Sequence, residues 1–157
     1  MPAAAYSVDV RRMETFSAAE LYALLKLRVD VFVVEQACPY PELDGKDADA
    51  LHLRLLIDGE TAAYARIWRP ENAAPRIGRV LVSPDHRGKR LGEVLMQEAI
   101  RACEAHFPGT PIELSAQSYL QQFYRSLGFS PTSEEYVEDG IPHIDMRRAG
   151  AGVAQRA

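Results

Sequence analysis

The amino-acid sequence predicts an α/β fold, a single domain built on a mixed β-sheet with helices packed against it. Three observations carry this. The apolar period switches between 2 and 3.6 along the chain, in the order strand, helix, three strands, long helix, strand, helix, two strands. The three-strand run contains a hairpin signal at Asp58-Gly59, so those strands run antiparallel. The long helix that follows lies between two strands, and a crossover of that kind makes its strands parallel neighbours.

Residues 6–12 (YSVDVRR) alternate apolar and polar, as a half-buried strand does. Ser17 with Glu20 three residues later is a capping box. It opens a helix carrying Leu21, Leu24, Leu25, Arg28, Phe32 and Glu35 at helical spacing, and Pro39 and Pro41 end that helix soon after Gln36. Residues 37–50 (ACPYPELDGKDADA) form a polar loop long enough to expect a role in function. LHLRLLI and ETAAYARIWR are the hairpin strands, PENAAP is a loop, and RIGRVLV is a further strand stopped by Ser83-Pro84. From about Leu91 to Phe107 an amphipathic helix presents Leu91, Val94, Leu95, Ala99, Ala102 and Cys103 on one face, until Pro108 and Pro111 stop it. IELSA is a strand, SYLQQFYRSL a short helix closed by Gly128, and residues 129–148 hold two short strands around Glu138-Asp139-Gly140. The domain is expected to span 1–148, with 149–157 (AGAGVAQRA) a disordered tail.

The 157 residues are enough to bury one substantial core, and 47% hydrophobic with 25% charged residues is ordinary for a globular protein. A net charge of −4 argues against a general nucleic-acid binder. Met1 to Arg12 lacks the apolar core of a signal peptide, and no stretch approaches a membrane span. Cys38 and Cys103 form neither a disulfide framework nor a metal-binding pair, and no His/Cys/Asp cluster has ligand spacing. The expectation is a reduced, cytoplasmic protein with no metal, no nucleic-acid partner and no membrane partner. A homodimer is the default assembly for a small protein.

The segment richest in chemistry is RVLVSPDHRGKRLGEVLM, residues 79–96, where a strand ends, a basic turn follows and a helix begins. Helix N-termini present unpaired N–H groups and partial positive charge, which suits phosphate. Gly88 and Gly92 let the backbone come close to an anion, and Arg87, Lys89 and Arg90 add side-chain donors. A solvated basic turn would look the same by charge alone. No GxxxxGK[ST] string occurs and the glycines are spaced wrongly for GxGxxG, so nucleotide hydrolysis and hydride transfer lose support.

This segment resembles the pyrophosphate-binding motif of the GNAT superfamily of N-acetyltransferases, which reads Gln or Arg, two residues, Gly, any residue, then Gly or Ala. Arg87, Leu91 and Gly92 fit it, Gly88 fills a position often glycine, and Arg90 stands where the central glycine is usual. QSYLQQFYRSLGF (117–129) resembles the family's later motif through Tyr124, Gly128 and Phe129, with Gln117 where Asn is common. LYALLKLRVDVFVVEQACPYPELDG and YVEDGIPHIDM resemble the ElaA-like branch, so the likeness covers roughly residues 17–147. It implies a sheet that splays open near its centre and acetyl-CoA as co-substrate in the opening. It further implies an acceptor amine on a small molecule, peptide or protein, attacking directly in a ternary complex.

That reaction has definite demands. A lysine-like amine is only ~0.1% neutral at pH 7.4, equivalent to about 4 kcal/mol, so a base is needed. Charge that builds on the thioester oxygen needs a donor, and the departing thiolate needs a proton. The resemblance implies a main-chain N–H in the strand Val80-Leu81-Val82 for the oxygen and Tyr124 as general acid for the sulfur. Arg87, Gly88, Lys89, Arg90, Leu91 and Gly92 would hold the pyrophosphate, with Gln117, Phe123 and Arg125 as further contacts. Five residues remain open as the base: Glu35, Glu113, His143, His52 and Asp44. Acidic residues crowd 35–52 and 134–145, where they either draw a cationic acceptor or are simply solvated. Two other functions stay open. One is a non-catalytic acyl-CoA-binding or regulatory module; the other is transfer of a longer acyl chain, whose space Phe32 and Trp68 would line or block.

Overall fold

The computed structural model describes residues 5–150. Residues 151–157, most of the expected tail, lie outside the described residues. The elements are β1 (Ser7–Arg12), α1 (Ala18–Val29), β2 (Leu51–Ile57), β3 (Glu60–Trp68), β4 (Arg76–Val82) and α2 (Leu91–His106). They continue with β5 (Ile112–Gln117), α3 (Gln121–Ser126), β6 (Ser130–Pro131), β7 (Tyr136–Glu138) and β8 (Ile141–Arg148). One 8-stranded mixed sheet runs β1-β2-β3-β4-β5-β8-β6, with β7 paired to β8. All neighbours are antiparallel except β4 and β5, the two strands joined through α2.

Local chemistry explains the boundaries. The Ser17 hydroxyl accepts from the Glu20 N–H at 3.1 Å while the Glu20 carboxylate accepts from the Ser17 N–H at 2.8 Å, so the expected capping box opens α1. After Val29 the helix widens into a π-helical turn, Asp30–Glu35, a local widening that period counting does not register. At the hairpin tip Asp58 and Gly59 both adopt positive φ, 52° and 79°, which the right-handed twist of the strands favours. The short helix expected over 118–127 is split into a 3-10 turn, Ser118–Leu120, followed by α3.

The two long helices cover opposite faces of the sheet. Leu95, Met96, Ala99 and Cys103 of α2 pack on one core that includes Ala63, Ala65 and Ile67 of β3. Tyr64, pointing the other way, joins Leu24, Val31 and Leu81 in a smaller core under α1. Both cysteines are free, and Cys103 is buried in the α2 core. Among the described residues no helix is long and apolar enough to cross a membrane, and no cluster of His, Cys, Asp and Glu could hold a metal ion.

Candidate active site

The sheet opens between its two parallel strands. β4 and β5 pair only at Arg76 and Glu113, close to where the Glu113 N–H donates to the Pro75 carbonyl at 3.0 Å. Beyond that point the strands diverge. On the other side of β4 the register slips, because Gly78 faces Arg66 and Leu81 faces Tyr64, leaving Arg79 and Val80 opposite Ala65 alone. This is a β-bulge, and Arg79 takes the left-handed conformation within it, φ 51°. Bulge and divergence together take the Arg79 and Val80 backbone out of regular pairing and expose it to a cleft of about 290 Å3.

The cleft lies between Gly78, Arg79 and Val80 on one wall and Leu114, Ser115 and Gln117 on the other. Tyr124, His143 and Phe32 also line it, brought there by α3, β8 and the π-helical turn. A second chamber of about 300 Å3 shares Phe32, Gln36, Tyr40, Arg79, Gln117 and His143 with it, and adds Cys38, Ile141 and the carboxylates of Glu138 and Asp139. The two therefore adjoin across these shared residues. A larger groove of about 460 Å3, lined by Arg12, Arg69 and Phe107 among others, shares no residue with it.

His143 is held firmly. Its Nδ1 donates to the Ile141 carbonyl at 2.7 Å, which fixes the tautomer and leaves a lone pair on Nε2. The ring stacks on Tyr136 with centroids 6.1 Å apart. Tyr136 is itself pinned, since its hydroxyl donates to Asp145 at 2.6 Å and is hydrogen-bonded to Ser115. The nearest charge to Nε2 is the Glu138 carboxylate at 3.8 Å. Tyr124 sits across from these elements on α3, its ring edge-on to Phe123 and Phe129. Burial pushes its phenol up to about 12, so the hydroxyl is fully protonated at neutral pH.

The other four base candidates have different surroundings. Glu35 forms a two-pronged ion pair with Arg87, at 2.5 and 2.7 Å, and those hydrogen bonds hold its carboxyl below the ordinary range. Glu113 lies at the closed end of the sheet beside Arg76 and Arg147, and is not among the residues lining the opening. His52 is buried between the Tyr64 hydroxyl at 2.6 Å and the Asp47 carbonyl at 2.8 Å, and burial pushes its pKa down. Asp44 is clasped by Arg66 at 2.7 Å and Arg79 at 3.3 Å. Burial alone would raise its carboxyl, but the hydrogen bonds from Arg66 and the Lys46 N–H outweigh it and hold the group far below the usual range.

The 37–50 loop is tied down by a network that sequence reasoning did not find. Arg28, wholly buried, donates to Glu42 at 2.8 Å and to Asp47 at 2.7 Å. Arg66 bridges Asp44 and Asp47, and Arg79 donates to Glu42 at 2.8 Å. The left-handed residue of the bulge is thereby locked to the loop and to α1.

The remaining positions fall into two groups. Val80 and Gln117 line the cleft; Leu81 is buried under α1, Val82 packs against the larger core, and Leu91 is buried in that core. Phe123 packs on the core and Arg125 is exposed. Arg87, Gly88, Lys89 and Arg90 form an exposed turn before α2. No side chain caps that 16-residue helix at Arg90, so its first N–H groups face outward, and a Cβ placed at Gly88 or Gly92 would meet nothing within 4 Å. An open, uncapped, cationic helix end beside a strand with freed backbone fits a diphosphate with an extended arm. Arg90 sits at φ 58°, ψ 28°, the left-handed conformation that glycine adopts freely. Arg90→Gly is therefore expected to raise stability by roughly 0.5–1 kcal/mol, steric relief less the entropy that glycine loses. A urea unfolding curve reads this, and a lower midpoint would mean that the arginine side chain outweighs the backbone strain.

Comparison with known proteins agrees with this geometry. Residues 19–149 match the family model of the acetyltransferase (GNAT) domain. The protein ElaA of Escherichia coli strain K12 is 48% identical over 136 residues, spanning 84% of this chain and 89% of that protein. The crystal structure of Escherichia coli ElaA superposes with a TM-score of 0.85 at 43% identity, covering 92% of this chain and 99% of that one. An acyl-CoA N-acyltransferase from Pseudomonas aeruginosa superposes with a TM-score of 0.88 at 45% identity, covering 92% of this chain and 100% of that one.

Proposed function

The chain belongs to the GNAT acetyltransferase family, in its ElaA-like branch, and on that premise we propose that it moves an acetyl group from acetyl-CoA to a primary amine in the β4–β5 cleft. The observation that carries the reading is the composition of that cleft, lined by a proton acceptor, His143, and by a fully protonated donor, Tyr124. Acyl-CoA supplies an acyl group on a thioester: the amine nitrogen bonds to the carbonyl carbon, the carbon–sulfur bond breaks, and the sulfur is released as a thiol.

The residues of the chain do the rest. Lys89, Arg90 and the first N–H groups of α2 hold the diphosphate, Arg87 joining them by exchanging Glu35 for phosphate, and the bulged backbone at Arg79 and Val80 receives the pantetheine arm and the carbonyl oxygen. His143 takes the amine proton on Nε2, with Nδ1 kept protonated by the Ile141 carbonyl. Glu138 stabilises the resulting imidazolium. Tyr124 donates to the departing sulfur. Full transfer from a phenol at about 12 to a thiolate whose thiol titrates near 8.5 is uphill by roughly 4–5 kcal/mol, so Tyr124 acts first as a hydrogen-bond donor. Phe32 occupies the cleft wall and favours a short acyl group, whereas Trp68 lies outside it, covered by Lys46 at 4.3 Å.

Tyr124→Phe is expected to lower the acetylation rate by about tenfold to a hundredfold, the value of one charge-assisted hydrogen bond, with acetyl-CoA affinity unchanged. Single-turnover kinetics beside a binding titration test this. An unchanged rate with chemistry limiting would remove Tyr124 from the reaction.

A further inference from the structure

We infer that the acceptor is a small dication, a diamine whose reacting nitrogen lies at His143 while its second ammonium is held by Glu138 and Asp139. This rests on the amine transfer proposed above and names its substrate class. The carboxylates near the opening fall into two sets. Four of the five in the first acidic stretch are already neutralised: Glu35 by Arg87, Glu42 by Arg28 and Arg79, Asp44 by Arg66 and Arg79, Asp47 by Arg28 and Arg66; the fifth, Asp49, lines the separate groove instead. The one arginine lining the second chamber, Arg79, is likewise committed to Glu42 and Asp44.

Glu138 and Asp139 differ. The ionic neighbour of Glu138 is His143 at 3.8 Å, which carries charge only when protonated, and Asp139 forms no ion pair among the described residues. Both carboxylates line the chamber, so its net charge is negative. A second observation points the same way. His143 is 9% exposed, lines both the cleft and the chamber, and commits Nδ1 to the Ile141 carbonyl, so Nε2 is the ring nitrogen left for a substrate. The imidazole proposed to take the amine proton thus lies 3.8 Å from a carboxylate that has no other ionic neighbour among the described residues. Phe32 and Ile141 are also in the lining, apolar surface on which a short methylene spacer can rest. The volume, about 300 Å3, fits a small molecule.

The test uses the full chain with acetyl-CoA and three acceptors of similar length: diaminobutane, butylamine and aminobutanol. Diaminobutane is expected to exceed the other two in kcat/KM by about tenfold or more, one charge-assisted contact. In Glu138→Gln/Asp139→Asn that preference should fall toward unity with acetyl-CoA affinity unchanged. If Glu138 acted only through His143, the variant would slow all three acceptors alike and keep their ratio, which would overturn the inference. So would equal use of diaminobutane and aminobutanol by the unaltered protein, or preference for a peptide amine. A readout without turnover separates the inference from the reaction it rests on. Cys38 lines the chamber while Cys103 is buried, so iodoacetamide should modify Cys38 alone. Diaminobutane should slow that modification in the unaltered protein and not in the double variant, and butylamine should slow it in neither. Absence of protection by diaminobutane would overturn the dication subsite even if amines are acetylated. Protection without thiol release from acetyl-CoA would keep the subsite and sink the transfer reaction.

Discussion

Arg28→Ala is expected to lower the unfolding free energy by about 3–5 kcal/mol, the cost of leaving buried charges without their partner. Arg28 is 0% exposed, and its removal strands Glu42, 3% exposed, and Asp47, 8% exposed, inside the protein. Arg66 and Arg79 still reach the two carboxylates, but neither replaces the fork that ties them to α1. The loss also has a pH signature. Burial by itself would raise the Asp47 carboxyl; hydrogen bonds and charge from Arg28 and then Arg66 outweigh it and hold the group below its ordinary range. A depressed carboxylate contributes stability that is fully present above the ordinary aspartate range and is lost as the pH falls toward the folded-state value. Without Arg28 that contribution shrinks, so the variant should differ most from the parent near neutrality and least in acid. Urea unfolding at several pH values measures both effects. A loss below about 1 kcal/mol at neutral pH would mean that the network is not what anchors the loop.

His143→Ala is expected to lower kcat by about 10²–10⁴, the usual contribution of a positioned base, with the acetyl-CoA dissociation constant unchanged. A merely structural role for the ring would move stability and binding together with rate. The distinguishing readout is the pH–rate profile, in which the fall in rate on the acid side should disappear in the variant while the parent keeps it. Tyr136→Phe offers a gentler comparison. It removes the hydroxyl that bonds Ser115 and Asp145, leaves the stacked ring under His143, and should retain the acid limb with a smaller rate.

The parts of this protein that were legible in its sequence are those fixed by near neighbours. Ser17 and Glu20 are three residues apart, Asp58 and Gly59 adjacent, and the buried face of α2 repeats at the helical period. The splayed sheet, and the proposal of a cofactor turn before α2, come through resemblance, because a glycine and arginine count cannot separate a phosphate turn from a solvated one. What could not be read is pairing at long range. Arg28 meets its carboxylates 14 and 19 positions away, and Arg87 meets Glu35 across 52. Four acidic residues that looked equally available are therefore neutralised, whereas Glu138 and Asp139 are not. One signal was available: Glu113 is the second residue of its strand, at the end where a parallel neighbour must start, and so lies away from the divergence. The left-handed conformation of Arg79 carried no signal in its residue type, since neither glycine nor asparagine occupies it.

The most direct test of the transfer reaction is acceptor-dependent thiol release from acetyl-CoA, with the acetylated amine identified in the same mixture by mass spectrometry. The expected result is thiol and acetylated diaminobutane in equal amounts with the unaltered protein, and neither above background with His143→Ala. Tight binding of acetyl-CoA with no thiol release for any amine would contradict the account, and would make the cleft a binding site without chemistry.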